Sequence, residues 1–377
     1  MPHCWRSGRA RLSPVHQTDP MKRHHALIPL LALLVLAWSQ TLAPVWPGAT
    51  VLLRAGVLML AVLSAVHHAE VVAHRTGEPL GTLVLALAVT VIEVALILSF
   101  MHSGAQSHAT LARDTLFSAI MVICNGVVGL CLLIGGWHHR EQVFRVQGVG
   151  PALAALLALS TLSLVLPTFT TSSPEGTYTR SQLVFVALTS LALWGVFTFF
   201  QTVRHRDYFL PEDASHNSQT HAAPPSTLQA FWSLLALLAC LLAVVGLAKQ
   251  LSPTIEATLR DWGAPPTLVG IVIALLVLLP ETLAALRAAR ANRLQTSLNL
   301  ALGSALASIG LTIPAVALAA VWLGFPLTLG LDPKDLVLLV LTFMVGSITL
   351  AHGRTSMMQG AVHLVLFASF LFLALVP

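Results

Sequence analysis

Long apolar runs separated by short polar joints fill almost the whole chain. Runs of spanning length fall at about 26–46, 49–68, 80–101, 113–136, 149–169 and 180–203. Five more fall at about 226–249, 265–287, 296–323, 334–351 and 356–376. About 20 apolar residues cross a bilayer as a helix, so the pattern predicts eleven transmembrane helices. Strand-type alternation is absent, which argues against a membrane barrel. The predicted fold class is an all-α polytopic membrane protein.

One long polar segment interrupts this pattern, from Arg204 to Ser226, with Pro211, Pro224 and Pro225 among its residues. It reads as a linker. The expected organisation is a cytoplasmic tail (1–25), a first helix (26–46), five helices (49–203), a cytoplasmic linker (204–225) and five more helices (226–376). Residues 1–20 differ in character from the rest, and Met21-Lys22-Arg23-His24-His25 reads as an alternative start. We therefore expect residues 1–20 to be an extension or a disordered tail. A basic segment before an apolar run also fits a signal peptide; the ten runs that follow favour a retained helix.

Composition sharpens the class. Hydrophobic residues make up 56% of the 377 and charged residues 9%, against about 25% charged in a soluble domain. Mean hydropathy is +0.82. A soluble enzyme, a coiled coil and a disordered protein are excluded. Cys4, Cys124, Cys131 and Cys240 form no CxxC pair, which argues against a disulfide framework or a zinc site. The net charge of +5 does not imply nucleic acid, because no basic, aromatic-interleaved face exists. Basic residues instead set topology. With the N-terminus inside, 14 of the 20 Lys and Arg fall on cytoplasmic segments and 6 on the other side. That predicts an internal N-terminus and an external C-terminus in a multi-pass membrane protein.

The acidic residues locate the chemistry. Of fifteen, only Glu93 and Glu281 fall well inside predicted spans. An ionisable group at the bilayer centre costs roughly 2.5–3.5 kcal/mol on insertion scales. No Lys or Arg lies mid-span to pair with either. Both glutamates sit at matching places in a weak internal repeat. One copy runs from Gly77-Glu78-Pro79-Leu80-Gly81 to Thr90-Val91-Ile92-Glu93. The other runs from Gly263-Ala264-Pro265-Pro266-Thr267 to Leu279-Pro280-Glu281. The third span runs outward and the eighth inward. Two inverted five-helix repeats after an extra first helix are thus expected, with the site at the midplane.

Neighbouring residues complete the expected site. Pro280 frees the carbonyl of Leu276, which a membrane tolerates where it lines a cavity; a simple kink is the other reading. Thr90 shares a helix face with Glu93. Ser304, Ser308 and Thr312 recur every four residues in the ninth span, after Asn299 and Gly303, and Ser118 and Asn125 share a face of the fourth. Such residues also serve helix packing. Ser118, Asn299 and Ser304 are the ones expected at the site.

Two carboxylates with hydroxyls and carbonyls suit hard cations. Ca2+ takes about six to eight oxygens, and no Cys, Met and His cluster lies there for a soft metal. The expected metal ligands are Glu93 and Glu281, for transported Ca2+, Na+ or K+; no resident cofactor is expected. Burial and a second carboxylate nearby favour protonation, and a bound cation reverses this. Cation and protons therefore compete for one pair of groups. If the empty, ionised state cannot reorient, competition becomes antiport by alternating access.

These motifs resemble the Ca2+:cation antiporter superfamily, and within it the ChaA-type calcium/proton antiporters. The resemblance rests on HHAEVVAHRTGEPLGTLVLALAVTVIEVALI (67–97), RDTLFSAIMVICNGVVGLCLLIGG (113–136), PETLAALRAARANRLQTSLNLALGSALASIGLTIP (280–314) and GRTSMMQGAVHLVLFASF (353–370). It implies Ca2+ export driven by proton entry, with Na+/H+ and K+/H+ exchange also associated. By resemblance, Glu93 and Glu281 match the essential repeat glutamates. Glu78 and Asn292 lie towards the mouth of the path, and Asn299, Gly303 and Ser304 match the second-repeat helix pair. Many relatives carry Gly-Asn four and three residues before each glutamate; here those positions are Val89-Thr90 and Val277-Leu278. A histidine often follows the second glutamate, where this chain has Thr282.

Other readings are weaker. His67, His68, Glu70 and His74 suit a pH-responsive mouth or a plain interface cluster better than a metal site. His363 reads as a packing residue. A monovalent-cation/proton antiporter is the nearest rival, and a cation channel a more distant one. An intramembrane protease lacks HExxH and paired mid-span aspartates, so no enzyme activity is expected. The expected partners are inorganic cations, protons and the lipid bilayer, and the composition is compatible with a homo-oligomer.

Overall fold

The computed structural model describes residues 21–42, 47–77, 80–101, 109–209, 225–263, 265, 267–324 and 327–376. Eleven helices follow one another: α1 Met21–Leu42, α2 Pro47–Thr76, α3 Leu80–Met101, α4 Leu111–His139, α5 Val146–Phe169, α6 Arg180–Arg204, α7 Thr227–Asp261, α8 Thr267–Arg290, α9 Leu294–Leu323, α10 Pro333–Leu350 and α11 Met357–Leu375. Helices α2 to α11 each contain a stretch long and apolar enough to cross a membrane, and α1 contributes a shorter apolar run, Leu27–Ser39. The protein is an all-α polytopic membrane protein. Helices α2 and α7 outrun their predicted apolar segments, reaching Thr76 and Asp261. Hydropathy marks the part of a helix that suits hydrocarbon, whereas backbone hydrogen bonds continue through polar residues beyond it. Residues 1–20, Glu78, and most of the expected linker (residues 210–224) lie outside the described residues.

Packing repeats with the partners exchanged. Helix α4 lies against α8 and α11; correspondingly, α9 lies against α3 and α6. Helices α2 and α7, the first of each unit, lie against each other. Exchanging α2–α6 with α7–α11 therefore carries these contacts onto one another. Each unit holds five helices of spanning length and composition, an odd number, which in a membrane would set the second unit opposite to the first. The joints obey the same rule. Strand β1 (Glu141–Val143), after α4, pairs antiparallel with β2 (Arg354–Ser356), before α11. Its counterpart is a bridge between Thr328, after α9, and Thr177, before α6. Helices α6 and α11 also start alike. Gln182 accepts from the backbone N–H of Thr179 at 2.9 Å, and Gln359 from that of Ser356 at 2.7 Å. Each is a capping box that satisfies the first turn of its helix.

The units differ in detail. In the first, π-helical turns interrupt α4 at Val122–Val127, α5 at Thr161–Val165 and α6 at Phe200–Arg204. In the second, α8 and α9 run unbroken through Pro280 and Pro314. Close approach is bought with small residues where α9 meets α6. A Cβ added at Gly310 would lie 2.6 Å from Cβ of Trp194. Gly310→Ala should therefore force α6 off α9 at about 1–3 kcal/mol, read as a lower melting temperature in detergent. An unchanged melting curve would show that this contact is looser than its geometry.

Candidate functional site

Glu93 lies two-thirds of the way along α3, in a run of apolar residues with one face on α9 and α7. It is 2% exposed. A buried carboxylate is tolerable only when hydrogen-bonded. Ser308 Oγ lies 2.7 Å from each Glu93 oxygen, and its single proton is shared between them. Thr312 Oγ1 donates to Oε2 at 2.8 Å. Ser308 and Thr312 stand one turn apart on α9 and so present both hydroxyls to the same place. Thr90 is buried beside Glu93 along α3, but its hydroxyl donates to its own Ala86 carbonyl at 2.8 Å.

Glu281 follows Pro280 in α8 and opens onto a cavity of about 180 Å³. Leu85, Ala86 and Val89 of α3, Trp194, Phe197, Thr198 and Gln201 of α6, and Asn299, Gly303 and Ser304 of α9 are among its walls. Glu281 Oε2 is buried and has no hydrogen-bond partner among the described residues. An unsatisfied buried carboxylate oxygen costs more than a made bond returns. It is therefore the group most in need of a proton, a water or a cation. The remaining polar lining is neutral. Asn299 is held by the joint below α6: its Nδ2 donates to Phe209 O at 2.7 Å, and it accepts from Gln295 at 2.9 Å.

The two carboxylates thus meet one stretch of α9. Glu281 shares its cavity with Ser304 and Ala307, and Glu93 is bonded to Ser308 and Thr312. Of the residues expected from sequence, the fold brings Glu281, Asn299 and Ser304 around one cavity, with Pro280 adjoining. It sets Glu93 and Thr90 beside the next turns of α9. Ser118 is elsewhere: it donates to the Asp114 carbonyl at 2.5 Å and lines a second, small cavity. Asn292 stands at the α8–α9 joint with φ 57° and accepts from Gln142 at 3.0 Å.

Sequence reasoning ranked Ser308 and Thr312 below Ser304 and passed over Thr198 and Gln201. The polar stripe on α9 and the i, i+3 pair on α6 were visible signals. Which helix each stripe faces was not. His363, read as a packing residue, makes 3.1 Å contacts with Asn125 and Thr349, while Asn125 donates to Thr342 at 2.8 Å. His67 and His68 meet ring to ring at 5.6 Å. Among the described residues, no group of three or more His, Cys, Asp or Glu side chains could hold a metal ion.

Removing both α9 hydroxyls leaves the Glu93 carboxylate without its donors. Ser308→Ala with Thr312→Val should cost about 1–3 kcal/mol of stability and weaken cation binding. Thr90→Val should do less, because that hydroxyl serves its own helix. Thermal melting and isothermal cation titration of the purified variants read both effects. Equal losses would show that Thr90 acts at the site directly.

The profile described as sodium/calcium exchanger protein matches residues 46–203 and 232–376. A relative in Sinorhizobium fredii, named for ionic transport, is 50% identical over 355 residues, which span 93% of this chain and 95% of that protein. The sodium-potassium/proton antiporter ChaA of Escherichia coli is 39% identical over 355 residues, with the same shares of each chain. Native YfkE superposes with a TM-score of 0.72 at 14% identity, covering 93% of this chain and all (100%) of that one. That last likeness is one of fold.

Proposed function

The chain belongs to the sodium/calcium exchanger protein family, in its ChaA-type branch, and from that premise we propose that it is a secondary active antiporter exchanging cations for protons by alternating access. Glu93 and Glu281 are the groups that carry either cargo. The observation that carries this reading is the convergence of both glutamates on residues 304–312 of α9, one sealed by hydroxyls and the other facing a cavity with a free oxygen. Protonation satisfies Glu281 without a partner, and a cation satisfies it with a charge. Only one of the two can occupy the oxygen at a time. Sequential occupation from opposite sides is exchange.

The cavity lies towards the starts of α3 and α9 and the end of α6. The last turn of α8 and the joint to α9 at that end carry Arg287, Arg290 and Arg293. Basic joints face the cytoplasm, so the conformation is open inward, with the N-terminus cytoplasmic in a bacterial inner membrane. In this reading Ca2+ is exported as protons enter, and Na+ and K+ are also carried.

A monovalent-cation/proton antiporter with little Ca2+ activity is the second reading. Among the described residues only one carboxylate lines the cavity, and its other lining side-chain oxygens, those of Asn299, Ser304, Thr198 and Gln201, are neutral. Ca2+ prefers a larger and more charged oxygen shell. The name of the 39% identical relative points the same way.

Everted vesicles with a pH-sensitive dye separate the readings. Wild type should release or take up protons on addition of the transported cation. Glu93→Gln and Glu281→Gln, which keep shape and remove charge, should each abolish the response. A Ca2+ response supports the first reading, and a response to Na+ or K+ alone the second. Full activity in either variant would overturn the two-carboxylate mechanism.

A further inference from the structure

We propose that His363 is a positioning residue for exchange: through Asn125 it fixes the π-helical turn of α4 that stands level with Glu281 on the neighbouring α8. The inference rests on the antiporter reading above.

Helices α4 and α8 lie side by side and run the same way. Near their starts, a Cβ added at Gly270 would lie 2.8 Å from both Asp114 C and Thr115 N. At their ends, His139 Nε2 lies 2.9 Å from Arg290 O. Glu281 is midway between Gly270 and Arg290, and the π turn Val122–Val127 is midway between Asp114 and His139. Regular rise along each helix brings the two midpoints to one level, and α8 packs directly on the turn. A π turn interrupts the regular ladder of backbone bonds, and such turns often mark functional sites. The backbone wall beside Glu281 is therefore the least regular part of α4.

What holds that wall comes from α10 and α11. Asn125, in the π turn, bonds to Thr342 and His363, and His363 to Thr349; each of the four is 3% exposed or less. One carbonyl sets the direction of every bond. Thr342 gives its proton to Leu338 O at 2.7 Å, so it accepts from Asn125 Nδ2 at 2.8 Å. That turns Asn125 Oδ1 to His363, whose Nδ1–H donates to it at 3.1 Å. His363 Nε2 is left to accept from Thr349 Oγ1 at 3.1 Å. A buried network in which every member is satisfied is rigid. Helix α11 is also pressed onto α4 here: a Cβ added at Gly129 would lie 2.9 Å from His363 Cβ. Asn125 is thus fixed from outside its own helix, and with it the turn that backs Glu281.

Polar side chains also bond membrane helices together with no part in transport. Exchange in everted vesicles, with Ca2+, Na+ and K+ each used as probe, and melting of the purified protein separate the two roles. His363→Leu keeps bulk and removes the donor to Asn125. Because small displacements of a binding group are costly, the KM for the cation should rise about tenfold, with little change in maximal rate. His363→Asn offers an amide N–H in place of Nδ1–H and should restore the KM. Thr349→Val leaves the bond to Asn125 and should lower the melting temperature with KM unchanged. An unchanged KM in His363→Leu, or an equal rise in Thr349→Val, would reduce the network to packing and overturn the assignment. Equal losses in His363→Asn and His363→Leu would overturn it too, because the imidazole itself would then be required. Should His363→Leu fail to reach the membrane, Thr342→Val frees the other end of the Asn125 amide, and the same rise in KM decides. Absence of exchange in wild type would instead overturn the antiporter reading.

Discussion

A carboxylate in the middle of an apolar helix must be given partners or neutralised, because hydrocarbon offers neither water nor counter-ion. Glu93 is given them by Ser308 and Thr312, two hydroxyls one turn apart on a helix of the other five-helix unit. That bond joins the units at their centre. It fixes the rotation of α9 about its axis, since both hydroxyls must point at α3. Once α9 is so turned, Ser304 and Asn299 face the space next to Glu281. The placement of the second carboxylate's surroundings therefore follows from satisfying the first.

The repeated packing is accompanied by cavities of unequal size at the two ends of the bundle. Contacts between helices map onto one another when the units are exchanged, yet the state does not. On one side α3, α6 and α9 stand apart far enough to leave about 180 Å³. On the other, α8 lies on α4 at Gly270 and leaves about 20 Å³. A sequence with two similar units can adopt either asymmetric arrangement at similar cost, and interfaces of packed helices are bistable rather than continuously deformable. The β1–β2 pair and the Thr177–Thr328 bridge tie the joints at both ends.

Much of the candidate site was legible before any fold was known. The cost of an isolated charge singled out Glu93 and Glu281, and a four-residue polar stripe marked α9 as the partner. Ser118 was drawn towards the same site because it also lies on a polar face of its helix. Its place beside Asp114 and Asp335 depends on which neighbour that face meets. Thr90 shares the face of Glu93 but spends its proton on Ala86. A threonine in a helix can bond its own preceding turn or a neighbour, and spacing is the same in both cases. Thr198 and Gln201 were missed because an isolated pair of polar residues in a long apolar helix has no meaning until the opposing wall is known.

The sequence by itself determined the helices, their number, the doubling of the unit and the two carboxylates. Each of these is set by local hydropathy or by the price of a charge in a bilayer, which are properties of residues in order. Tertiary structure decided which hydroxyls reach Glu93 and that Glu281 keeps a free oxygen in an open cavity. These depend on how ten helices are rotated and pressed together. That choice is made by packing between residues hundreds of positions apart, which no short-range pattern encodes.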